Sequence, residues 1–229
     1  MDIRMDWDLR ITVDDLKKKA ACSPDNTRML RVYDEIVELG SKLAKPASVT
    51  ECFEIARVEE GRVVLEDGSS FNSLHLSTLL EGADRIVLMC GTIGPALEET
   101  AASLSAEGDT LRAYLLDTYG SVAVNSLFRK MYQSARNEFP GLGATVTMSP
   151  GQLDWDVKEQ DTLFRLLSPG KIGVTLTPSS MMKPIKSATD AFGIGDPSRV
   201  RRGHFACESC TRRNVCAYRS QDDELEGPA

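Results

Sequence analysis

The chain has 229 residues, of which 41% are hydrophobic and 27% charged, so it can bury the core of one large domain or two small ones. Its formal net charge of −7 argues against general nucleic-acid binding, which needs a basic surface. No apolar run approaches the roughly 20 residues that cross a bilayer, and the N-terminus lacks the apolar segment of a secretory signal. We therefore expect a cytoplasmic protein that binds neither nucleic acid nor membrane.

Apolar periodicity predicts a mixture of helices and short strands. The first helix has a capping box, with Thr12 as the N-cap and Asp15 three residues later. In chain order, the predicted elements are helices over 11–21 and 24–45, a hairpin of strands over 52–58 and 62–66, a buried strand over 85–90, helices over 96–106, 111–137 and 156–167, and strands over 172–176 and 188–194. The order lacks a regular βαβ alternation. It predicts an α+β fold, a single domain with a mixed, largely antiparallel twisted sheet flanked by helices.

A glycine-containing break follows the strand predicted over 85–90. Gly91-Thr92-Ile93-Gly94 lies between that strand and a helix, so its backbone N–H groups could face an anion. The segment matches neither a phosphate-binding loop nor a dinucleotide-binding fingerprint. We interpret it as a turn, with anion binding as the alternative.

Six cysteines divide into two groups. Cys22, Cys52 and Cys90 stand alone in apolar or helical contexts, where cysteine usually behaves as a small buried hydrophobe. The other three lie near the C-terminus with the spacing of metal ligands. Two thiolates separated by two residues can hold one metal from a tight turn, and a third closes on it from the next turn. A histidine lies three residues upstream, so the candidate metal ligands are His204, Cys207, Cys210 and Cys216.

Two metal centres fit these donors. Zinc would accept one histidine and three cysteines in a tetrahedron. A 4Fe-4S cluster would take the three cysteines and leave its fourth iron to His204, to Cys52 or Cys90, or to solvent. Six arginines between residues 199 and 219 face one acid, a local charge of +5 that leaves −12 for the rest of the chain. This basic surround suits an anionic centre and favours the iron–sulfur cluster.

A break in composition near Pro197 separates the body of the chain from this basic segment. We predict three regions: a folded body over 1–196, a small C-terminal metal-binding loop over 197–220, and an acidic tail over 221–229. The tail has four acids in nine residues and is expected to be disordered.

Two segments of the body carry a family resemblance. The first has the turn Ser149-Pro150-Gly151 before Asp154-Trp155, and the second runs Leu176-Thr177-Pro178-Ser179, Met181-Met182-Lys183-Pro184 and Ser187. In order and spacing, they resemble the activation (S-adenosylmethionine-binding) domain of cobalamin-dependent methionine synthase. Three further motifs are similar to the free-standing, corrinoid-associated members of that family: Thr92-Ile93-Gly94, Asp117-x-Tyr119-Gly120-Ser121 and Cys216-Ala217-Tyr218-Arg219.

The resemblance implies both a task and a binding site. The family domain caps a corrinoid whose cobalt has become inactive Co(II), and it assists reductive methylation with S-adenosylmethionine as the methyl donor. The implied partners are the corrinoid itself and a corrinoid protein or cobalamin-dependent methyltransferase. The implied corrinoid- or nucleotide-binding residues are Ser149, Pro150, Gly151, Asp154, Trp155, Thr177, Met181, Met182, Pro184 and Ser187.

One turn departs from the family pattern. The family's nucleotide-binding turn reads Arg-x-x-Pro-Gly-Tyr, whereas Thr147 and Gln152 stand here at the arginine and tyrosine positions. A threonine cannot replace the bidentate contact of an arginine with a carboxylate. The departure therefore argues against S-adenosylmethionine binding and affects the corrinoid contact less.

The sequence as a whole favours a reductive activator, or corrinoid-handling partner, of a cobalamin-dependent methyltransferase. Its iron–sulfur centre would supply electrons that help return Co(II) to an active state. The alternatives are a zinc-stabilised docking module without redox activity and an S-adenosylmethionine-binding methyl-donor domain. No catalytic residue can be assigned, because the two histidines, His75 and His204, have no persuasive nucleophile or acid partner in sequence.

Overall fold

The structure is a computed structural model that describes residues 1–20, 27–200 and Asn214. Nine strands and six helices are present in these residues. The strands are β1 (Asp2–Arg4), β2 (Ala47–Glu59), β3 (Arg62–Leu65), β4 (Ser70–Asn72), β5 (Ala83–Thr92), β6 (Gly143–Ala144), β7 (Thr175–Leu176), β8 (Met182–Lys183) and β9 (Ser187–Gly195). The helices are α1 (Val13–Lys19), α2 (Thr27–Leu43), α3 (Leu74–Leu79), α4 (Ala96–Ala106), α5 (Thr110–Asn137) and α6 (Gln160–Leu167).

Seven of the strands form one sheet in the order β4-β3-β2-β5-β9-β6, with β1 also paired to β2. The pairs β1–β2, β2–β3, β3–β4 and β6–β9 are antiparallel. A separate two-stranded antiparallel sheet joins β7 to β8. This mixture of helices with a largely antiparallel sheet confirms the predicted α+β class.

The contacts between residues divide the chain into two compact units. Unit 1 consists of Met1–Thr50, Met89–Ala135 and Leu167–Ala188. Unit 2 consists of Glu51–Leu88, Arg136–Leu166 and the residues from Thr189 onward. Each unit is therefore assembled from three separate stretches of sequence. The predicted boundary at residue 197 stays a prediction.

Unit 1 has a helical core. Tyr33 and Ile36 of α2 and Tyr119 of α5 are almost completely buried. A Cβ atom at Gly40 would lie only 2.5–2.7 Å from the Tyr119 ring, so glycine lets α2 and α5 approach closely at this point. The predicted capping box is present at the start of α1, where Thr12 and Asp15 each cap the other's backbone N–H.

Unit 2 is built around aromatic side chains. Trp155 and Phe71 are fully buried and pack edge to face, with ring centroids 5.6 Å apart and an interplanar angle of 80°. Burial of each ring contributes roughly 1.5–3 kcal/mol, and the edge-to-face geometry adds about 1 kcal/mol. Trp155 thus fixes the end of the Ser149–Trp155 turn to the core of unit 2.

Most of the predicted elements are present, with some differences at their ends. Strand β2 begins earlier than predicted, and α3 was not predicted. The strand predicted over 172–176 is reduced to β7, because Pro169–Ile172 forms a 3₁₀ turn. The predicted start of the second helix at 24–26 lies outside the described residues. Among the helices of the described residues, none is long and apolar enough to span a membrane.

Candidate functional site

The candidate metal ligands His204, Cys207, Cys210 and Cys216 lie outside the described residues. In residues 1–20, 27–200 and 214, no group of three or more histidine, cysteine, aspartate or glutamate side chains could hold a metal ion. The metal centre therefore stays a prediction from the spacing of the cysteines.

The two described cysteines, Cys52 and Cys90, both have raised thiol pKa values. Burial raises the pKa of the Cys90 thiol to about 12, and the residue has no exposed surface. Cys52 is exposed as a residue, contrary to the expectation that it is buried. Partial enclosure of its thiol nevertheless raises its pKa to about 11, even with Arg85 nearby. Without a metal, both thiols therefore hold their protons at neutral pH, and neither has the lowered pKa of a reactive cysteine.

The turn predicted to bind a corrinoid or nucleotide lies in unit 2. The Gly151 N–H donates to the Trp155 carbonyl at 2.7 Å, and the Trp155 N–H donates to the Gln152 carbonyl at 3.0 Å. Gly151 has φ +90°, a conformation that favours glycine. The Gln152 side-chain oxygen accepts from the Ser149 N–H at 3.1 Å, so this side chain closes the turn from within. Pro150 is buried, whereas Gly151 and Gln152 are exposed.

Asp190 of β9 is the central charged group beneath this turn. Its carboxyl accepts hydrogen bonds from the hydroxyls of Ser149 and Thr147. The residue keeps some solvent exposure, but its carboxyl is enclosed by protein, and this burial raises its pKa to about 6 despite the two hydroxyl donors. An enclosed carboxyl with a pKa of about 6 changes its protonation close to neutral pH.

Asp154 accepts hydrogen bonds from the residues at the start of α3, which also lies in unit 2. Its two carboxylate oxygens accept from the Leu74 N–H at 2.6 Å, from the Ser73 hydroxyl at 2.7 Å and from the His75 N–H at 3.2 Å, and His75 Nδ1 lies 2.7 Å away. Partial burial opposes ionisation, but these hydrogen bonds outweigh it and lower the pKa of Asp154 to about 2. The carboxylate therefore caps the N-terminus of α3, which explains why an acid stands at this position.

The second predicted segment lies in unit 1, on the β7–β8 hairpin and the start of β9. Thr177 closes the hairpin, since its N–H donates to the Met181 carbonyl at 2.8 Å and its hydroxyl accepts from the Met181 N–H at 3.1 Å. Met181 is 60% exposed at the tip, and Ile185 beyond the hairpin is 70% exposed. Met182 is partly exposed and Pro184 is buried. The hairpin thus presents apolar side chains to solvent on a closed turn.

Lys186 connects three motifs that are far apart in sequence. Its Nζ atom lies 2.8 Å from Asp117 Oδ1 and 3.0 Å from Ser121 Oγ on α5. Its carbonyl accepts from the Ile93 N–H at 3.2 Å, and Ser187 Oγ donates to Thr92 Oγ1 at 2.8 Å. A Cβ at position 120 would come within 3.1–3.3 Å of the Lys186 side chain, so Gly120 makes room for it.

These contacts also decide between the two interpretations of the segment 91–94. The Ile93 N–H is bonded to Lys186, and the Gly94 N–H donates to Thr92 Oγ1 at 3.1 Å. Because both N–H groups already have acceptors within unit 1, these contacts favour the turn over an anion site. The turn comprises Ile93 and Gly94, since Gly91 and Thr92 are the last residues of β5.

The ten predicted binding residues divide equally between the two units. Ser149, Pro150, Gly151, Asp154 and Trp155 lie in unit 2, and Thr177, Met181, Met182, Pro184 and Ser187 lie in unit 1. The sequence interpretation missed Asp190, Lys186 and Glu98, whose carboxylate accepts from the Ile185 N–H at 2.6 Å. A charged residue in a mostly apolar strand was the available signal for Asp190. No comparable signal marked the other two.

Comparison with solved structures shows that this chain resembles a known structure in its fold. The structure titled "Crystal Structure of the MetH Reactivation Domain bound to AdoHcy" matches with a TM-score of 0.60, covering 90% of this chain and 81% of that chain. The sequence identity is 14%, so the likeness concerns the fold. No family model and no curated protein matches the sequence. The chain thus has a reactivation-domain fold.

The turn at 147–152 does not fit a ligand carboxylate. Where the resembling family has an arginine, the hydroxyl of Thr147 is bonded to Asp190, and the Gln152 side chain is bonded to the Ser149 N–H. An acid therefore lies beneath a turn that would need a cation to hold the carboxylate of S-adenosylmethionine. The structure strengthens the argument from sequence against this donor.

Proposed function

We propose that this chain is a cytoplasmic reductive activator, or corrinoid-handling partner, of a cobalamin-dependent methyltransferase. The observation that carries the proposal is the reactivation-domain fold, which extends over 90% of the chain. The cysteine spacing within 197–220 adds a metal-binding loop, and we propose that residues 1–196 form the body that carries it. Reduced thiols in such a loop agree with a cytoplasmic protein.

The contacts around Lys186 support this function from within unit 1. Two of the motifs joined there, 92–94 and 117–121, resemble motifs of free-standing corrinoid-associated proteins. The third, the segment that ends at Ser187, resembles the activation domain of methionine synthase, and it lies 95 residues from Thr92. Their convergence on one lysine is expected if they build one site together. The exposed Met181 and Ile185 side chains offer the apolar surface that a corrin ring or its carrier protein would cover.

The metal centre has the donors that its chemistry requires. Cys207, Cys210 and Cys216 would hold an iron–sulfur cluster, with His204, Cys52, Cys90 or solvent at the remaining position. Such a cluster supplies electrons at a potential that can be low enough to assist cobalt reduction. The neighbouring arginines would offset the negative charge of the thiolates and the cluster.

The test is to purify the full chain anaerobically, count iron and sulfide, and record electron paramagnetic resonance before and after reduction. The reduced protein should then reduce cob(II)alamin, which is measured by the loss of the visible absorbance of cob(II)alamin. A Cys210→Ser variant should lose both the spectrum and the conversion, while Cys52→Ser should keep both. One zinc per chain with no iron would favour the docking module, and wild-type protein with no cluster and no effect on the corrinoid would refute the proposal.

Binding of S-adenosylmethionine is the second candidate, because the neighbouring structure was solved with AdoHcy. Calorimetric titration of the full chain with S-adenosylmethionine separates the two. We expect no saturable heat, since Thr147 and Asp190 provide no cation for the donor's carboxylate. Tight binding would establish the methyl-donor function instead.

A further inference from the structure

Strand β1 of unit 1 is an edge strand with its apolar side chains exposed. It pairs with β2 along one edge, and no other strand in the described part of the chain pairs with it. Ile3 is 39% exposed, and the residues that flank the strand, Met1 and Met5, are 51% and 64% exposed. Since alternate residues of an extended chain lie on the same face, these three side chains form one apolar strip.

The opposite face of β1 is turned towards the protein. Arg4 Nη1 donates to Ser134 Oγ of α5 at 3.2 Å, and the Arg4 guanidinium carbon lies 4.1 Å from the centre of the Trp7 ring. A strand with one covered face usually directs its apolar side chains to that face. In β1 the arginine faces the helix, and the apolar strip faces solvent. An open strand edge beside an exposed apolar strip is the arrangement that a further strand would cover.

The residues of β1 are complementary to those of a second, antiparallel copy. If Ile3 lies opposite Ile3 of the other copy, then Asp2 lies opposite Arg4, and Met1 lies opposite Met5. Opposite residues of an antiparallel pair lie on the same face with Cβ atoms about 4.5–5.5 Å apart, so every pair is either apolar or an acid with a base. A shift of the register by two residues in either direction would place Asp2 opposite Asp2 or Arg4 opposite Arg4. The charges therefore select one register.

We propose that two copies of this chain associate through antiparallel pairing of their β1 strands, with Ile3 on the two-fold axis. A contact between identical surfaces closes on itself, so the association stops at a dimer. One short strand pair buries far less than the roughly 1,200 Å² of stable complexes, so we expect a reversible dimer with a dissociation constant of about 10–100 μM. The pairing uses only unit 1 and does not depend on the proposed function.

The test is sedimentation velocity of the full chain, without an N-terminal tag, at concentrations on either side of that constant. Wild type should pass from monomer to dimer. Asp2→Arg places an arginine opposite Arg4 at both ends of the strand pair, so the dissociation constant should rise at least about tenfold. Asp8→Arg is the matched control, because it makes the same charge change at an exposed residue beyond the strand, where Asp8 pairs with Arg10. It should leave the dimer unchanged.

Two variants of Ile3 test the register. Because Ile3 faces itself across the axis, Ile3→Lys and Ile3→Glu should each weaken the dimer at least about tenfold. An equimolar mixture of the two should associate more tightly than either variant alone, since opposite charges then meet on the axis. The new side chains point to solvent, so thermal unfolding of diluted samples should show that each variant is folded.

Wild type that stays monomeric up to about 300 μM would overturn the proposal. A dimer that Asp2→Arg leaves intact, or a mixture of the Ile3 variants that stays monomeric although each is folded, would overturn this pairing. Should an Ile3 variant be unfolded, Asp2→Arg and its control decide alone. Sedimentation measures mass, so failure of the cluster or corrinoid assays would refute the proposed function without affecting the dimer.

Discussion

Asp190 shows how one enclosed carboxyl changes the chemistry of the turn above it. The hydroxyls of Thr147 and Ser149 donate to it, and burial raises its pKa to about 6. In the unfolded chain an aspartate titrates near 3.9. The folded state therefore binds more protons between these values, and stability must fall as the pH rises from about 4 to about 6. At neutral pH, ionised Asp190 therefore lowers the free energy of unfolding.

We predict that Asp190→Asn stabilises the protein at pH 7 and above by up to about 3 kcal/mol, the linkage equivalent of a shift of about two pKa units. The amide oxygen can still accept from the two hydroxyls, and it carries no charge to desolvate. Urea unfolding from pH 4 to pH 8 measures the effect. The gain should disappear below pH 4, where both forms of the side chain are neutral.

Ser149→Ala serves as the control for this prediction. It removes a hydroxyl that lowers the pKa of Asp190, so the fall in stability should extend to higher pH in that variant. If wild type and Asp190→Asn had parallel pH profiles, the carboxyl would titrate normally in the folded protein, and burial would not raise its pKa.

Among the elements, α3 shows most clearly what the sequence could not reveal. The helix has six residues. In so short a segment, apolar periodicity cannot distinguish a helix from an irregular apolar run such as the one that contains His75. Ser73 caps its first turn, and the carboxylate of Asp154, some eighty residues later, accepts two of its N–H groups. Those contacts depend on tertiary structure, so the sequence did not reveal α3. The helices α1, α2, α4, α5 and α6 and the strands β2, β3, β5 and β9 were predicted, because their signals are local.

We predict that Asp154→Ala destabilises the protein by about 1–2 kcal/mol at pH 7, the usual cost of a lost N-cap, discounted because the side chain is 40% exposed. The Leu74 and His75 N–H groups lose their acceptor, so amide exchange in α3 should accelerate. The folded-state pKa is lowered to about 2, so the contribution is complete above about pH 4 and is lost as the pH falls towards 2.

Asp156→Ala is the matched control. It removes an acid two residues away whose carboxylate accepts only from the nearby Lys158 N–H, so exchange in α3 should not change. If Asp154→Ala left α3 exchange and stability at wild-type values, the carboxylate would not be structural. A direct role in binding would then be the better interpretation of this predicted site residue.

For the whole molecule, the α+β class was predictable because the periods of helices and strands are local properties of the sequence. The division into two units was not, since each unit combines three stretches that are distant in sequence. The candidate site was likewise predictable only where its residues form local motifs. Its turn and hairpin were visible as motifs, but Lys186 and Asp190 gain their roles from partners 41 to 93 residues away.

The body should not depend on the metal for its stability. In the described part of the chain, the largest fully buried side chains include Tyr33, Phe71, Tyr119, Trp155 and Phe192, which form cores within residues 27–200. We predict that changing Cys207, Cys210 and Cys216 together to serine abolishes metal binding and cob(II)alamin reduction. The unfolding free energy should change by less than about 1 kcal/mol, since the buried side chains of the body keep their packing. Metal analysis and urea unfolding of the same samples test this, with Cys52→Ser as the control that keeps the metal. A loss of several kcal/mol in the triple variant would instead make the metal a structural element of the fold, and it would favour the zinc-stabilised docking module over the electron carrier.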